Sequence, residues 1–154
     1  LVGSGPDRDA LETQARELGL ADHVVFPGPM PARQAFALGR ILVVPSRAES
    51  LPYVVIEAAG GRVPMIATNV GGIPEIFGPH KDRLIPCNDV PRLAAAMTAE
   101  LDRADAERVS LAEDVRSFVV ERFTISEMAS AVISGYRDAL RVRGGADTTI
   151  SRAS

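Results

Sequence analysis

The chain has 154 residues, of which 46% are hydrophobic and 24% charged, so it can bury one sizeable core as a single domain. A formal net charge of −3 and a pI near 5.4 exclude a general attraction to nucleic acid or anionic lipid. A single cysteine, Cys87, excludes an internal disulfide. No apolar run approaches the roughly 20 residues that span a bilayer.

The chain begins with a predicted strand, tight turn and helix. Leu1-Val2 has the pattern of a strand already under way, and no initiator methionine precedes it, so we expect a fragment of a longer protein. The turn Gly-Ser-Gly-Pro leads into a helix over Asp7–Leu18, which Gly19 closes. Gly3 and Gly5 allow a close approach of backbone to ligand, although a plain strand-to-helix turn is an equal alternative.

A second unit follows, with a short predicted strand over His23–Phe26. It enters the proline-rich loop Pro27–Pro31, whose rigid carbonyl and amide groups can hold one face of a planar ring. A helix is then predicted from Ala32 to Leu38. We expect His23 to be a strand-end residue without a chemical role.

The central element is a strand, a loop and a helix. The apolar run Ile41–Val44 stops at Pro45, as a buried strand would, and Pro52 suits the first turn of a helix that continues to Ala59. Backbone amides at the start of such a helix lack internal partners and attract phosphate. We therefore expect an anion-binding site over Ser50–Tyr53.

Two carboxylates bracket this element, Glu49 in the loop and Glu57 in the helix. Glu57 interrupts an apolar run, where a carboxylate is costly unless it faces water or a partner. A helix with one solvated edge is the simpler explanation for any single glutamate. The spacing of the two glutamates favours a binding role.

The third strand is predicted over Pro64–Thr68, and it leads to the adjacent glycines Gly71 and Gly72. These precede Ile-Pro-Glu, which predicts exposed amides and then a short helix. We expect Glu75 to favour the positive end of that helix, with a contact in the ligand cleft as the alternative.

A last strand is predicted over Arg83–Pro86, followed by a helix from Val90 to Leu101. The preceding loop contains His80, Lys81 and Arg83, which could contact an anionic ligand or simply be solvated. Residues 105–140 have a helical pattern that breaks near Phe123, and we expect packing surfaces there rather than a cofactor pocket. The tail, residues 141–154, is predicted to be disordered.

Strands that alternate with helices predict an α/β fold, a three-layer Rossmann-like parallel sheet with helices on both faces. Ligands bind such sheets at the carboxyl ends of the strands. Four predicted loops follow strand-like runs and should meet there. The sequence contains no cluster of metal-ligating residues and no serine, histidine and aspartate constellation, so a catalytic metal is not predicted.

Five motifs occur in register with a known family. They are Gly3-Ser4-Gly5-Pro6, Val25-Phe26-Pro27-Gly28, Glu57-Ala58-Ala59, Gly61-Arg62-Val63-Pro64, and Gly71-Gly72-Ile73-Pro74-Glu75, and they accompany the Glu49 and Glu57 pair with seven residues between. In these motifs the chain resembles the retaining GT-B glycosyltransferases, especially family 4, also called group 1. The likeness runs from Leu1 to about Leu140. It implies the donor-binding, C-terminal half of a two-domain enzyme, without its first strand and its N-terminal acceptor domain.

The resemblance implies a nucleoside diphosphate sugar as donor substrate, with no cofactor and no metal required by this domain. Glu57 would accept hydrogen bonds from the ribose hydroxyls, and Glu49, the predicted catalytic residue, would hold hydroxyls of the donor sugar. The leaving phosphate would assist attack on the same face, so neither carboxylate is a nucleophile. The predicted donor-binding residues are Glu57, Ser50, Leu51, Pro52, Tyr53, Gly3, Gly5, Phe26, Pro27, Gly28, Gly71 and Gly72.

The family's basic pair, which neutralises the diphosphate, lies upstream of Leu1, so we expect weakened donor binding. Two alternatives remain, namely another GT-B enzyme such as a nucleotide-sugar epimerase or phosphorylase, and a non-catalytic nucleotide-sugar-binding module. Lys81, the only lysine, lies in a loop and argues against a pyridoxal-phosphate phosphorylase. We expect a cytoplasmic enzyme, with peripheral association at the inner face of the membrane, and no nucleic-acid partner.

Overall fold

The computed structural model describes residues 1–146, and the side chains of residues 1–141. The elements follow in the order α1 (Arg8–Glu17), α2 (Ala32–Phe36), β1 (Leu42–Val44), α3 (Tyr53–Gly60), β2 (Met65–Ala67), α4 (Ile73–Phe77), α5 (Val90–Asp102), α6 (Asp105–Arg122) and α7 (Ile125–Ala146). A 3₁₀ helix over Gly78–Arg83 joins α4 to α5.

The two strands are parallel, as predicted. Leu42 pairs with Met65 and Val44 pairs with Ala67. A single parallel bridge from Thr68 to Ile85 adds a third segment on the β2 side. Together with the surrounding helices this is a parallel α/β fold, which confirms the predicted fold class.

Three of the predicted strands do not form as strands. At Leu1-Val2 only Val2 pairs, in a single bridge. Residues 21–23 form a turn instead, in which the amides of His23 and Val24 both donate to the Leu20 carbonyl, so the strand predicted over His23–Phe26 does not form. Only Gly28 pairs there, through a parallel bridge to Val2.

The strand predicted over Arg83–Pro86 is also largely absent. The 3₁₀ helix occupies the chain as far as Arg83, and pairing is confined to the bridge at Ile85. Pro86 has no N–H with which to continue a ladder.

The helix predictions are confirmed within a few residues. Gly19 closes α1 with a φ of +69°, a conformation that glycine adopts without steric cost. The helical pattern breaks at Phe123, and the Thr124 hydroxyl accepts from the Glu127 amide at 3.1 Å to begin α7. α7 continues to Ala146, six residues past the predicted end of the domain at Leu140. Residues 147–154 of the predicted tail lie outside the described residues.

The hydrophobic core lies on one face of the two strands. Side chains two apart in a strand share a face, and Val44 and Ala67, which are paired across the sheet, both point into this core. Helices α3, α4 and α6 supply the remaining buried side chains. The cluster consists of Val44, Val55, Ala59, Ala67, Ile73, Ile76, Phe77, Val115 and Val119. Ile66 is on the opposite face by alternation and is also buried, and α5 contacts β2.

α7 differs from the other long helices because every one of its described side chains is exposed. Its apolar residues nevertheless recur at helical spacing and cover one side. They are Ile125, Met128, Val132, Ile133, Tyr136 and Leu140. Among the helices described, none is both long and apolar enough to cross a membrane.

Candidate functional site

The loop after β1 is braced by side chains at the carboxyl edge of the sheet. The Thr68 hydroxyl, which is buried, donates to the Ser46 carbonyl at 2.6 Å. The Ser46 hydroxyl in turn donates to Glu49 Oε1 at 2.7 Å. Glu49 is therefore half-buried and oriented by a hydrogen bond, rather than free in solvent.

The predicted glycine pair lies directly against this loop. The amide of Gly72 donates to the Ser50 carbonyl at 2.7 Å. A Cβ atom at Gly71 would lie 1.8 Å from the Glu49 carbonyl oxygen, and one at Gly72 would lie 2.4 Å from that of Ser50. The φ of Gly71 is +51°, which also favours glycine. Because β1 and β2 are parallel, their loops leave the same edge of the sheet and meet, as predicted.

The start of α3 presents unpaired amides at this edge. Pro52 is buried and precedes the helix, and its carbonyl accepts from the amides of Val55 and Ile56. Within residues 1–146, the amides of Tyr53 and Val54 donate to no protein acceptor. The predicted anion-binding range Ser50–Tyr53 includes Pro52, which has no N–H and therefore cannot donate a hydrogen bond to an anion.

Glu57 lies on α3 and is exposed, as is Tyr53. Among the hydrogen bonds and ion pairs of the described residues, the Glu57 carboxylate takes part in none. The Glu57 carbonyl accepts from the Gly61 amide at the end of α3. Its carboxylate is thus available to a ligand, unlike that of Glu49, which already accepts one hydrogen bond.

A second group of predicted residues joins the turn after Val2 to the loop after Phe26. The Gly3 amide donates to the Gly28 carbonyl at 3.1 Å, and both glycines have positive φ. Gly5 accepts from the Arg8 amide at 3.3 Å as α1 begins. Pro27 lies between Phe26 and Gly28 in this loop.

The predicted residues are therefore assembled in two groups. The first contains Glu49, Ser50, Leu51, Pro52, Tyr53, Glu57, Gly71 and Gly72. The second contains Gly3, Gly5, Phe26, Pro27 and Gly28. No hydrogen bond between described residues links the two groups directly.

Sequence reasoning missed Arg8. Its guanidinium donates to the Phe26 carbonyl at 2.8 Å and lies 5.8 Å from the centre of the Phe26 ring. A cation in the first turn of a helix opposes the helix dipole. This unfavourable position is the signal in the sequence that draws attention to Arg8.

A cavity lies away from these residues. It has a volume of about 340 Å³, lies between α5, α6 and β2, and is lined by Arg83, Arg103 and Arg108 together with Glu100 and apolar side chains. These charges are paired, since Arg108 bonds to Asp105 and to two backbone carbonyls, and Arg83 bonds to Asp114. We interpret this cavity as part of the packing between α5, α6 and β2, rather than as a ligand site.

A smaller hollow of about 180 Å³ lies at the carboxyl edge of the strands. Pro45 and Arg47 line it on the β1 side, and Thr68 lines it after β2. It is contiguous with the braced loop. The position at the strand ends, rather than cavity size, therefore identifies the candidate site.

The perturbed acids and bases also lie away from the strand ends. A hydrogen bond from Arg83 holds the pKa of Asp114 below its ordinary value, and one from Arg40 does the same for the pKa of Asp105. A hydrogen bond with Glu100 raises the pKa of Arg103. The three residues with shifted pKa values, Arg103, Asp105 and Asp114, all lie on α6 or between α5 and α6. Within the described residues, no group of three or more histidine, cysteine, aspartate or glutamate side chains could hold a metal.

Comparison with known proteins finds similar proteins of one kind, the glycosyltransferases. The family model described as "Glycosyl transferases group 1" matches residues 1–103. D-inositol 3-phosphate glycosyltransferase of Gordonia bronchialis is 35% identical over 146 residues, which are 90% of this chain and 31% of that protein. GDP-mannose-dependent alpha-(1-6)-phosphatidylinositol monomannoside mannosyltransferase of Mycobacterium tuberculosis is 36% identical over 122 residues, 69% of this chain and 31% of that protein.

Among solved structures, sucrose-phosphate synthase from Thermosynechococcus elongatus is similar with a TM-score of 0.75 and 29% identity. The match covers 92% of this chain and 38% of that one. The chain thus spans about a third of the length of the curated relatives it matches.

Proposed function

The chain belongs to the group 1 glycosyltransferases, and on that premise we propose that it forms the donor-binding half of a retaining enzyme that takes its sugar from a nucleoside diphosphate. The observation that carries this proposal is the contact between the Glu49–Ser50 segment and the Gly71–Gly72 pair, beside the unpaired amides of α3. One relative is GDP-mannose-dependent by its name, which supports a nucleotide-linked donor.

In this proposal, different residues of the site bind different parts of the nucleotide-sugar donor. The amides of Tyr53 and Val54 face an anion at a helix amino terminus, which suits the diphosphate. Glu57, exposed and free of protein partners among the described residues, accepts from the two ribose hydroxyls. We assign the nucleotide base to the second group, because the proline-rich loop that begins at Pro27 can hold one face of a planar ring.

Glu49 contacts the donor sugar. The Ser46 hydroxyl already occupies one of its oxygens, which fixes the carboxylate and leaves its remaining acceptor sites for sugar hydroxyls. Fixed acceptors cost little reorganisation when the bond to the leaving phosphate breaks. Attack occurs on the face of the departing phosphate, so neither carboxylate acts as the nucleophile. This chemistry needs no metal or further cofactor from the domain.

We propose that the acceptor is bound outside this chain, by a part that corresponds to the remaining length of its relatives. The chain covers about a third of its relatives, and their names specify different acceptors, including an inositol phosphate and a phosphatidylinositol mannoside. We therefore expect the isolated 154-residue chain to fold but not to transfer sugar. Radiolabelled-donor assays of the purified chain test this, and robust transfer by the chain alone would contradict it.

The two glutamates in the full-length enzyme give the sharper test. Glu57→Gln keeps the shape and removes the charge, so donor affinity should fall by about 1 to 3 kcal/mol. Glu49→Gln should lower kcat more than it raises the KM for donor, because its contacts strengthen as the bond breaks. Steady-state kinetics with varied donor distinguishes the two effects.

Glu121→Gln is a matched control, since Glu121 is exposed on α6, away from the proposed site. It should leave both kinetics and thermal midpoint unchanged. Normal kinetics for both site variants, with a lowered midpoint for Glu57→Gln, would make Glu57 a structural helix residue and overturn the proposal.

A further inference from the structure

Arg8 ties together the two segments of the second group. From the first turn of α1 its guanidinium reaches 18 positions along the chain to the Phe26 carbonyl, at 2.8 Å. The same group lies 5.8 Å from the centre of the Phe26 ring. Its Nε also pairs with Glu12 at 2.8 Å, one turn later in α1.

This arrangement uses the fork of the guanidinium. One nitrogen engages Glu12 while another engages the Phe26 carbonyl, and the carbon between them lies over the Phe26 ring. A lysine ammonium is a single point charge and could not hold all three partners in this geometry. The side chain is 38% exposed, so its ion pair with Glu12 is screened and the hydrogen bond to the loop matters more.

The loop is otherwise held by little. Gly3 donates to the Gly28 carbonyl, and Leu1 donates through its amino group to the Val25 carbonyl. Pro27 has no N–H, and residues 24–27 form no strand. Among the hydrogen bonds of the described residues, Arg8 supplies the one that a side chain makes to residues 24–28.

We propose that Arg8 is a positioning residue for the base end of the donor site, because it fixes the Phe26 carbonyl and ring against the turn that begins α1. The inference rests on the proposed function, since it assigns the base to the Phe26–Gly28 loop. A base held by a fixed loop is bound equally well before and during the reaction. Loss of Arg8 should thus weaken donor binding without slowing the bond-breaking step.

The experiment uses the full-length enzyme with Arg8→Gln, Arg8→Lys and Phe26→Leu. Arg8→Gln should raise the KM for donor about tenfold, the loss expected when one charged hydrogen bond is removed, with kcat within about twofold of wild type. Arg8→Lys should show nearly the same defect. Binding of UDP, GDP and ADP, measured by calorimetry, should become less discriminating among the three bases in both variants.

Arg16→Gln is the control, because Arg16 is an exposed arginine of the same helix that bonds only to nearby Thr13. It should change neither KM nor base preference. The effects of Arg8→Gln and Phe26→Leu should be less than additive in donor binding, as expected for contacting residues.

The outcomes separate the two proposals. A wild-type enzyme that binds none of the nucleotides would contradict the proposed function, and this inference with it. Normal nucleotide binding by wild type with unchanged KM and base preference in Arg8→Gln would overturn the role of Arg8 alone. Full recovery by Arg8→Lys would show that charge, rather than the geometry of the fork, is what matters, and would also overturn it.

Discussion

Residues 1–40 and residues 42–122 have similar sequence patterns but are packed very differently. The second region contains all the buried apolar side chains of the described chain except one, Ala15. In the first region, Leu11, Leu18 and Leu20 of the α1 unit are exposed, although α1 forms where the sequence predicts it. Helix formation follows from local pattern, whereas burial requires a neighbouring surface.

The sheet explains the difference. β1 pairs with β2, and the helices of residues 42–122 cover that pair. The bridge between Val2 and Gly28 is separate, and no described strand lies between it and β1. The first region should therefore tolerate changes that the second does not.

The largest expected effect comes from the core of the second region. Ile76 is fully buried in α4, and Ile76→Ala should lower the free energy of unfolding by about 2 to 5 kcal/mol through lost burial and the cavity left behind. Leu18→Ala, at a side chain 64% exposed, should cost less than about 0.5 kcal/mol. Urea denaturation of both variants makes the comparison. Equal losses would contradict the contrast between the regions.

The glycine contact at the candidate site should come next. At Gly71 an alanine would be strained by the φ of +51° and would clash with the Glu49 carbonyl, so Gly71→Ala should cost about 2 to 4 kcal/mol. Gly5→Ala in the first region is the matched control, since a Cβ there meets nothing within 4 Å. A thermal midpoint for Gly71→Ala equal to that of Gly5→Ala would mean that the two loops are not in contact.

These cases show what can be predicted from sequence. The loops at the ends of β1 and β2 were predicted to meet because parallel strands present their carboxyl ends at one edge, and the Gly72 hydrogen bond to Ser50 confirms this. Turn and helix boundaries followed from glycine and proline chemistry. Such rules are local, or depend only on strand direction.

The features that sequence reasoning missed depend on distant partners. Arg108 is buried, and its guanidinium donates to the carbonyls of Glu100 and Arg103 and pairs with Asp105. The helical pattern of the sequence does not predict these contacts. Arg8 meets Phe26 across 18 positions. The strand predicted at His23–Phe26 does not form, because the amides of His23 and Val24 donate to the Leu20 carbonyl in a turn and are not available to a neighbouring strand.

A smaller effect concerns α7, whose described side chains are all exposed. Gly135 lies inside this helix with open space around it, so Gly135→Ala should stabilise the helix locally by about 0.5 to 1 kcal/mol. Far-UV circular dichroism should show increased helix content, while the midpoint monitored by a core probe should hardly change. A shift of several degrees in that midpoint would show that α7 unfolds together with the core.

The smallest effect tests the tie between the two regions. Among the hydrogen bonds of the described residues, the one that joins residues 1–40 to the rest runs from Arg40 to Asp105, at 2.9 Å. Arg40 and, secondarily, Arg108 lower the pKa of Asp105, which is exposed, so its contribution is screened by solvent and salt. A lowered folded pKa means that the stabilisation is present above the unfolded pKa, near 4, and is lost as the pH falls through the folded pKa.

We therefore expect Asp105→Asn to lower the thermal midpoint slightly at pH 7, and by less at a pH below the folded pKa of Asp105, because protonation weakens the same pairing in the wild type. Asp22→Asn, at an exposed turn in the first region, should leave the midpoint unchanged at both pH values. Arg40→Gln separates the tie from the contact with Arg108, because it removes the link between regions and leaves the pairing within α6. If Arg40→Gln lowered the thermal midpoint as much as Asp105→Asn does, the Arg40–Asp105 ion pair would account for the whole pH-dependent effect. If Arg40→Gln had no effect at low salt, residues 1–40 would be held to the second region by packing alone.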